Sequence, residues 1–169
     1  MGLFRSITAT RILRVCTAYI CRSPMAEGLL REELRLRSRL DEVCVSSAGP
    51  HVSMPGQPAD ARAQRVCARE GIDLRKCRAR QVTESDFRKF SYILAMDRKN
   101  LEWLHEYSPA AYRGRIYTMG SWSAVDPDAD IPDPYFGSLS GFDDVLARLR
   151  PCVTGFLDAL QAMERPGRD

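Results

Sequence analysis

Apolar residues along this chain follow two rhythms. Short runs at Arg11-Ile-Leu-Arg-Val-Cys16, Val43-Cys-Val-Ser-Ser47, Phe90-Ser-Tyr-Ile-Leu-Ala95 and Gly114-Arg-Ile-Tyr-Thr118 have the length and composition of strands. Between and after them, apolar residues recur every three or four positions, which predicts helices over residues 25–34, 59–70, 98–107 and 141–163. Pro24 fits the first turn of the first helix, and Gly71 fits a left-handed cap after the second. Pro151 is a candidate break in the last. Arg14 is awkward in a strand buried on both faces. Strands alternating with helices imply parallel crossover units, hence an α/β fold: a single-domain doubly wound open sheet of four parallel strands flanked by helices. Ligands of such sheets lie beyond the carboxyl ends of the strands, at the point where strand order reverses.

The 169 residues suit one domain, expected over residues 11–163, with an extension at 1–10 and a tail at 164–169. With 44% apolar and 28% charged residues the chain is globular in composition, and no apolar run approaches the roughly 20 residues of a membrane span. Residues 1–14 hold three arginines and no apolar signal core, so export is not expected and a cytoplasmic location is. Met1-Gly2-Leu-Phe-Arg-Ser6 formally fits a myristoylation pattern that is short enough to recur by chance. A net charge of +3, from 25 basic and 22 acidic residues, is too balanced to argue for nucleic acid. The arginines between Arg62 and Arg80 lack interleaved aromatics and read as solvated helix faces.

Six cysteines without a secretory signal do not suggest a disulfide framework, and none forms a Cys-x-x-Cys pair that would suggest zinc. Asp126-x-Asp128-x-Asp130 begins like a calcium loop, but Ile131 and Gly137 stand where such a loop needs Gly and Glu. No metal or other cofactor is expected.

The segment Cys16-Thr-Ala-Tyr-Ile-Cys-Arg22 joins the first strand to the first helix. A turn of this length can aim successive backbone N–H groups at one centre, and with the helix dipole it forms an anion nest suited to phosphate. Cys16 at its base lies where that positive field stabilises a thiolate. Arg22 offers a planar fork for two phosphoryl oxygens, and Ser23 can donate a hydrogen bond to the sulfur. These are the parts of a cysteine nucleophile for phosphoryl transfer, although a buried cysteine is more often inert packing. Further on, Asp130-Ile-Pro-Asp133-Pro-Tyr-Phe-Gly137 stiffens one carboxyl between two prolines. That carboxyl could protonate a leaving phenolate and then activate water, or it could belong to an ordinary Asp-Pro turn.

Taken with Ser23-Pro-Met-Ala-Glu27, Ser46-Ser-Ala-Gly49, Ala79-Arg-Gln-Val-Thr83, Tyr92-Ile-Leu-Ala-Met-Asp97 and Asp133-Pro-Tyr135, these motifs closely resemble the low-molecular-weight protein tyrosine phosphatases from Ile12 to about Leu160. Arg113–Trp122 and Ile131–Pro134 look most like the bacterial members paired with tyrosine autokinases of capsule and exopolysaccharide synthesis. The resemblance implies a phosphotyrosine protein as substrate, with Cys16 as nucleophile, Arg22 as phosphate ligand and Asp133 as general acid and base. Thr17, Ala18, Tyr19, Ile20, Cys21, Arg22 and Ser23 would complete the phosphate loop. Tyr135 and Phe136 would line the substrate slot, joined by Ser53 and Met54 where relatives carry a wall residue. Cys21 is either a redox partner of Cys16 or a small packing residue. The chain is expected to act as a monomer, without metal, because the amides and Arg22 already supply positive charge.

Tyr19 departs from the pattern, since the family has Asn there, in a left-handed conformation tied to serine and histidine groups. Ser47 matches one partner, while Cys77 stands where histidine is common. Tyrosine tolerates that backbone less well, at a cost of about 1–3 kcal/mol, and weaker activity or a shifted pH optimum is expected. A phosphate- or phosphotyrosine-binding module silenced by Tyr19 is the alternative. A thioredoxin-coupled arsenate reductase is a third reading, but Cys67 and Cys77 are ten residues apart rather than about seven.

Overall fold

The computed structural model describes residues 9–164. The Gly2 pattern and most of the 1–10 extension lie outside the described residues, as does the tail after Glu164. Four strands, β1 (Thr10–Val15), β2 (Val43–Ala48), β3 (Tyr92–Ala95) and β4 (Ile116–Thr118), form one parallel sheet in the order β2-β1-β3-β4. Thr10 to Val15 pair in step with Val43 to Ala48 on one side, and Ile12 to Val15 pair with Tyr92 to Ala95 on the other. Strand order reverses on the two sides of β1, so the crevice opens at its carboxyl end, where Cys16 begins the loop.

Alternation along β1 separates two cores. Ile12 faces a large one shared with α1 (Arg22–Leu36), α2 (Ala61–Arg69) and α5 (Leu139–Glu164). Leu13 and Val15 face a smaller one with Phe87 of α3 (Glu84–Lys89) and Leu104 of α4 (Arg98–Tyr107). Helices on both faces account for the near-continuous burial of the central strands.

Several boundaries differ from the sequence reading. Helix α3 was not anticipated: six residues are too few to show helical periodicity, and its signal is chemical. Thr83 and Asp86 form a reciprocal capping box. Phe90 closes this helix instead of opening β3. Gly114 and Arg115 belong to a 3₁₀ turn, Ala110–Arg115, which shortens β4 to three residues, and a second such turn spans Gly120–Trp122. Helix α2 starts at Ala61 because the Asp60 carboxylate accepts from the Arg62 N–H and caps it. The basic stretch is correspondingly not a run of solvated helix faces. Only its first part is helical, and Arg80 forms an ion pair with the buried Asp86.

Helix α5 runs unbroken through Pro151. A proline in a helix interior costs about 3 kcal/mol. Buried Phe142, Val145, Leu146 and Leu149 precede it, and Cys152, Val153, Phe156, Leu157 and Leu160 follow on the same stripe. Each such burial is worth roughly 1.5–3 kcal/mol, so packing on both sides outweighs the lost hydrogen bond. Among the described residues no helix is long and apolar enough to cross a membrane.

The contact between α5 and the Gly120–Trp122 turn depends on a missing side chain. A Cβ at Gly155 would lie 1.9 Å from the Trp122 carbonyl oxygen. Gly155→Ala is expected to destabilise the fold by about 1–3 kcal/mol, read as a lowered urea midpoint, because the neighbour is backbone and must shift with its whole turn.

Candidate active site

The loop from Cys16 to Arg22 leaves the end of β1 and enters α1 directly, so Pro24 falls in the first helical turn. Carbonyls on its outer side are held by neighbouring segments. Thr17 accepts from the His51 N–H at 3.0 Å, and Ile20 accepts from the Asp60 N–H at 2.8 Å. The Asn100 amide donates to the Thr17 hydroxyl at 3.1 Å. The N–H groups of Thr17, Ala18, Ile20, Cys21 and Arg22 have no acceptor among the described residues. Gly49 lets this loop pass: a Cβ there would lie 2.9 Å from the Tyr19 nitrogen and 3.0 Å from the Cys16 carbonyl oxygen. That close approach is the physical content of the Ser46-Ser-Ala-Gly49 motif.

Cys16 is buried and accepts from the Ser23 backbone N–H at 3.3 Å. Ser23 thus donates through its backbone, which the helix start turns toward the sulfur, while its hydroxyl oxygen is buried without a partner among the described residues. Arg22 is 2% exposed. Its guanidinium donates to Asp97 at 2.5 Å, to the Ile131 carbonyl at 2.9 Å and to Asp133 at 3.4 Å. Burial opposes this charge, but Cys16, Asp97 and Asp133 outweigh it and raise the guanidinium above its ordinary pKa. Asp133 is half exposed, and its other oxygen accepts from the Tyr135 N–H at 3.1 Å.

These groups share one cleft of about 460 Å³, lined by residues 16–22 with Ser53, Met54, Gln57, Asp133, Tyr135 and Phe136. The rings of Tyr135 and Phe136 meet edge-on at 4.9 Å, with Phe136 97% exposed at the rim. A second cleft of about 470 Å³, between residues 123–131 and α5, contains none of the groups that carry chemistry. Cys21 is buried, and loss of water pushes its thiol up to about 12, with the nearby Asp60 and Cys16 adding to the rise. It is protonated at neutral pH.

Tyr19 is left-handed, with φ of 75°, and its side chain is buried beneath the loop at 1% exposure. The phenol faces Ser47 and Cys77, and burial holds its pKa well above the ordinary tyrosine value. Ser47 in turn donates to the buried Glu27, which pairs with Arg31 at 2.8 Å and faces Arg14 at 4.0 Å. Arg14 is fully buried on the α1 side of β1. It donates to the Ser46 carbonyl at 2.6 Å, and desolvation lowers it to about 10. The arginine that looked out of place in a strand therefore belongs to a polar layer under the phosphate loop.

The sequence model described as low molecular weight phosphotyrosine protein phosphatase matches residues 11–165. The chain belongs to that family. The phosphatase of Schizosaccharomyces pombe bearing the same name is 33% identical, over 89% of this chain and 96% of the relative. A protein tyrosine phosphatase from Entamoeba histolytica, solved with Hepes in its active site, superposes with a TM-score of 0.88 at 30% identity, covering 93% of this chain and all of the other. Wzb of Vibrio vulnificus, solved with benzylphosphonate, gives 0.79 at 28% identity, over 89% and 99%. The chain is thus a low molecular weight protein tyrosine phosphatase, and the arsenate reductase reading is set aside.

Sequence reasoning did not assign Asp97, Glu27, Asn100 or Gln57 to the phosphatase site. Asp97 had a local signal, since an Asp directly after a strand and three residues before Asn100 is a helix cap. That its second oxygen would meet Arg22 had none.

Tyr19→Asn should relieve the left-handed strain and raise turnover, while leaving space that costs on the order of 3 kcal/mol of stability. Paired measurements of kcat and thermal midpoint check this. Turnover no higher than in the parent would show that the phenol is accommodated without strain.

Proposed function

We propose that this phosphatase hydrolyses phosphotyrosine through a phosphocysteine intermediate on Cys16, with Arg22 binding the phosphoryl group and Asp133 moving the proton. The observation that carries the reading is the convergence of the Cys16 sulfur, the buried Arg22 guanidinium and the half-exposed Asp133 carboxyl on one cleft with an aromatic rim. Cys16 Sγ attacks phosphorus as the phosphorus–oxygen ester bond breaks, and Asp133 gives its proton to the departing phenolate. Charge spreading over the equatorial oxygens meets the Arg22 guanidinium and the N–H groups of Thr17, Ala18, Ile20, Cys21 and Arg22, which are oriented before the reaction begins. Asp133 then takes a proton from the water that attacks phosphorus, the sulfur–phosphorus bond breaks to return the Cys16 thiolate, and inorganic phosphate leaves. Ser53, Met54, Tyr135 and Phe136 form the walls for a flat ring. Such a slot favours phosphotyrosine over the shorter phosphoserine.

We place its substrates among the phosphotyrosines of a tyrosine autokinase in capsule or exopolysaccharide synthesis. Support comes from the likeness of residues 113–122 and 131–134 to that bacterial branch.

Without added metal, the parent is expected to hydrolyse an aryl phosphate between pH 5 and 8. Cys16→Ser should abolish turnover, and Asp133→Ala should reduce it by about 10²-fold or more. A parent as inactive as Cys16→Ser would favour the silenced binding module. For Cys21 the redox role is the one proposed: peroxide converts the Cys16 thiolate to a sulfenic acid, which Cys21 captures as a disulfide with loss of water. Thiol treatment should then restore the parent after peroxide but fail to restore Cys21→Ser.

A further inference from the structure

The carboxyl of Asp133 is half exposed and meets Arg22 only at 3.4 Å, so these contacts alone do not fix its aim. Upstream, its segment is anchored where the Ile131 N–H donates to the Met96 carbonyl and the Ile131 carbonyl accepts from Arg22. Downstream, the anchor is a residue of another element. Arg62, in the first turn of α2, donates from Nη2 to the Tyr135 carbonyl and from Nη1 to the Gly137 carbonyl, each at 2.9 Å. Its Nε and Nη2 also meet the two oxygens of Asp60 at 3.0 and 2.8 Å. The guanidinium lies 4.6 Å from the centre of the Phe142 ring at the start of α5 and 5.8 Å from that of Tyr135.

Asp60 itself is tied to the phosphate loop, because its N–H donates to the Ile20 carbonyl. A continuous chain of contacts thus runs from Ile20 through Asp60, Arg62 and Tyr135 to the Asp133 carboxylate, which accepts from the Tyr135 N–H. We propose that Arg62, held by Asp60, is a positioning residue that fixes the acid-bearing segment at a set distance from the phosphate loop and so aims Asp133 at the leaving oxygen. The proposal rests on the assignment of Asp133 as the general acid.

An exposed Arg–Asp pair alone is worth little. What separates Arg62 from such a pair is that all of its nitrogens are engaged, two of them with the Tyr135 and Gly137 carbonyls of the turn that follows Asp133. A planar fork can bridge a carboxylate and two carbonyls at once, whereas a lysine ammonium lacks that geometry. Arg62→Lys should therefore recover only part of the function.

The test compares kcat/KM for p-nitrophenyl phosphate, whose phenolate leaves without help, with that for phenyl phosphate, whose leaving oxygen needs a proton. Arg62→Ala should slow the phenyl ester by at least about tenfold and the nitrophenyl ester by less than about threefold, with Arg62→Lys between parent and Arg62→Ala. In an Asp133→Ala background, Arg62→Ala should cost less than about twofold more on either ester, since no acid remains to be aimed. Equal losses on both esters, no loss on either, or a full additional loss in the Asp133→Ala background would overturn the proposal. If Asp133→Ala shows no dependence on the leaving group, the acid assignment itself fails and the positioning role falls with it. Should Arg62→Ala lose its cooperative melt, Arg62→Gln carries the same comparison.

Discussion

A guanidinium with almost no access to water must find its acceptors within the protein, and Arg22 finds three of them on two separate segments. Asp97 follows β3, whereas Ile131 and Asp133 lie in the long connection between β4 and α5. None of these segments is adjacent to α1 in sequence. Satisfying one buried cation therefore draws the connections after β1, β3 and β4 to the same end of the sheet, where a switch-point fold already opens a crevice. Cys16, the loop that follows it and Asp133 are brought together by the same requirement.

Beneath the loop lies a second polar layer with different logic. Arg14, Glu27, Ser47, Tyr19 and Cys77 occupy space between the sheet and α1 that hydrophobic residues could fill. Two Arg14 nitrogens, Nε and Nη1, have no partner among the described residues, so the layer is not an optimal way to stabilise a core. Its members instead contact the backbone from below: Arg14 holds the Ser46 carbonyl, and Tyr19 carries the left-handed turn of the loop. The loop is thereby supported on its inner side by side chains and on its outer side by the N–H groups of His51 and Asp60.

Much of this architecture was legible without coordinates. Short apolar runs and apolar residues recurring every three or four positions predicted the four strands and four of the five α-helices, and the Cys16–Arg22 segment was placed between a strand and a helix, as found. Where local reading failed, the cause was packing against distant residues, an ion pair or an element too short to show a period. Pro151 should interrupt a helix, yet burial on both sides of it keeps α5 whole. Phe90 looks like a strand residue and instead closes a six-residue helix whose periodicity is too short to see. Arg80 resembles a solvated cation and is half of an ion pair with a buried carboxylate.

Chemistry confined to one stretch of chain, such as a nucleophile and an arginine on a single loop or an aspartate held between prolines, was determined by the sequence itself. Local backbone geometry puts those groups within reach of one another. The left-handed turn at Tyr19 was implied by the resemblance to the family, whose asparagine takes that conformation there. Only the tertiary structure decided that Asp97 would clasp Arg22, that Arg14 would face Glu27, and that Arg62 would hold the carbonyls around the acid. Those pairings join residues 13 to 75 positions apart. Their partners are chosen by burial and by the need to satisfy every enclosed charge, constraints that exist only once the sheet and its helices have closed around them.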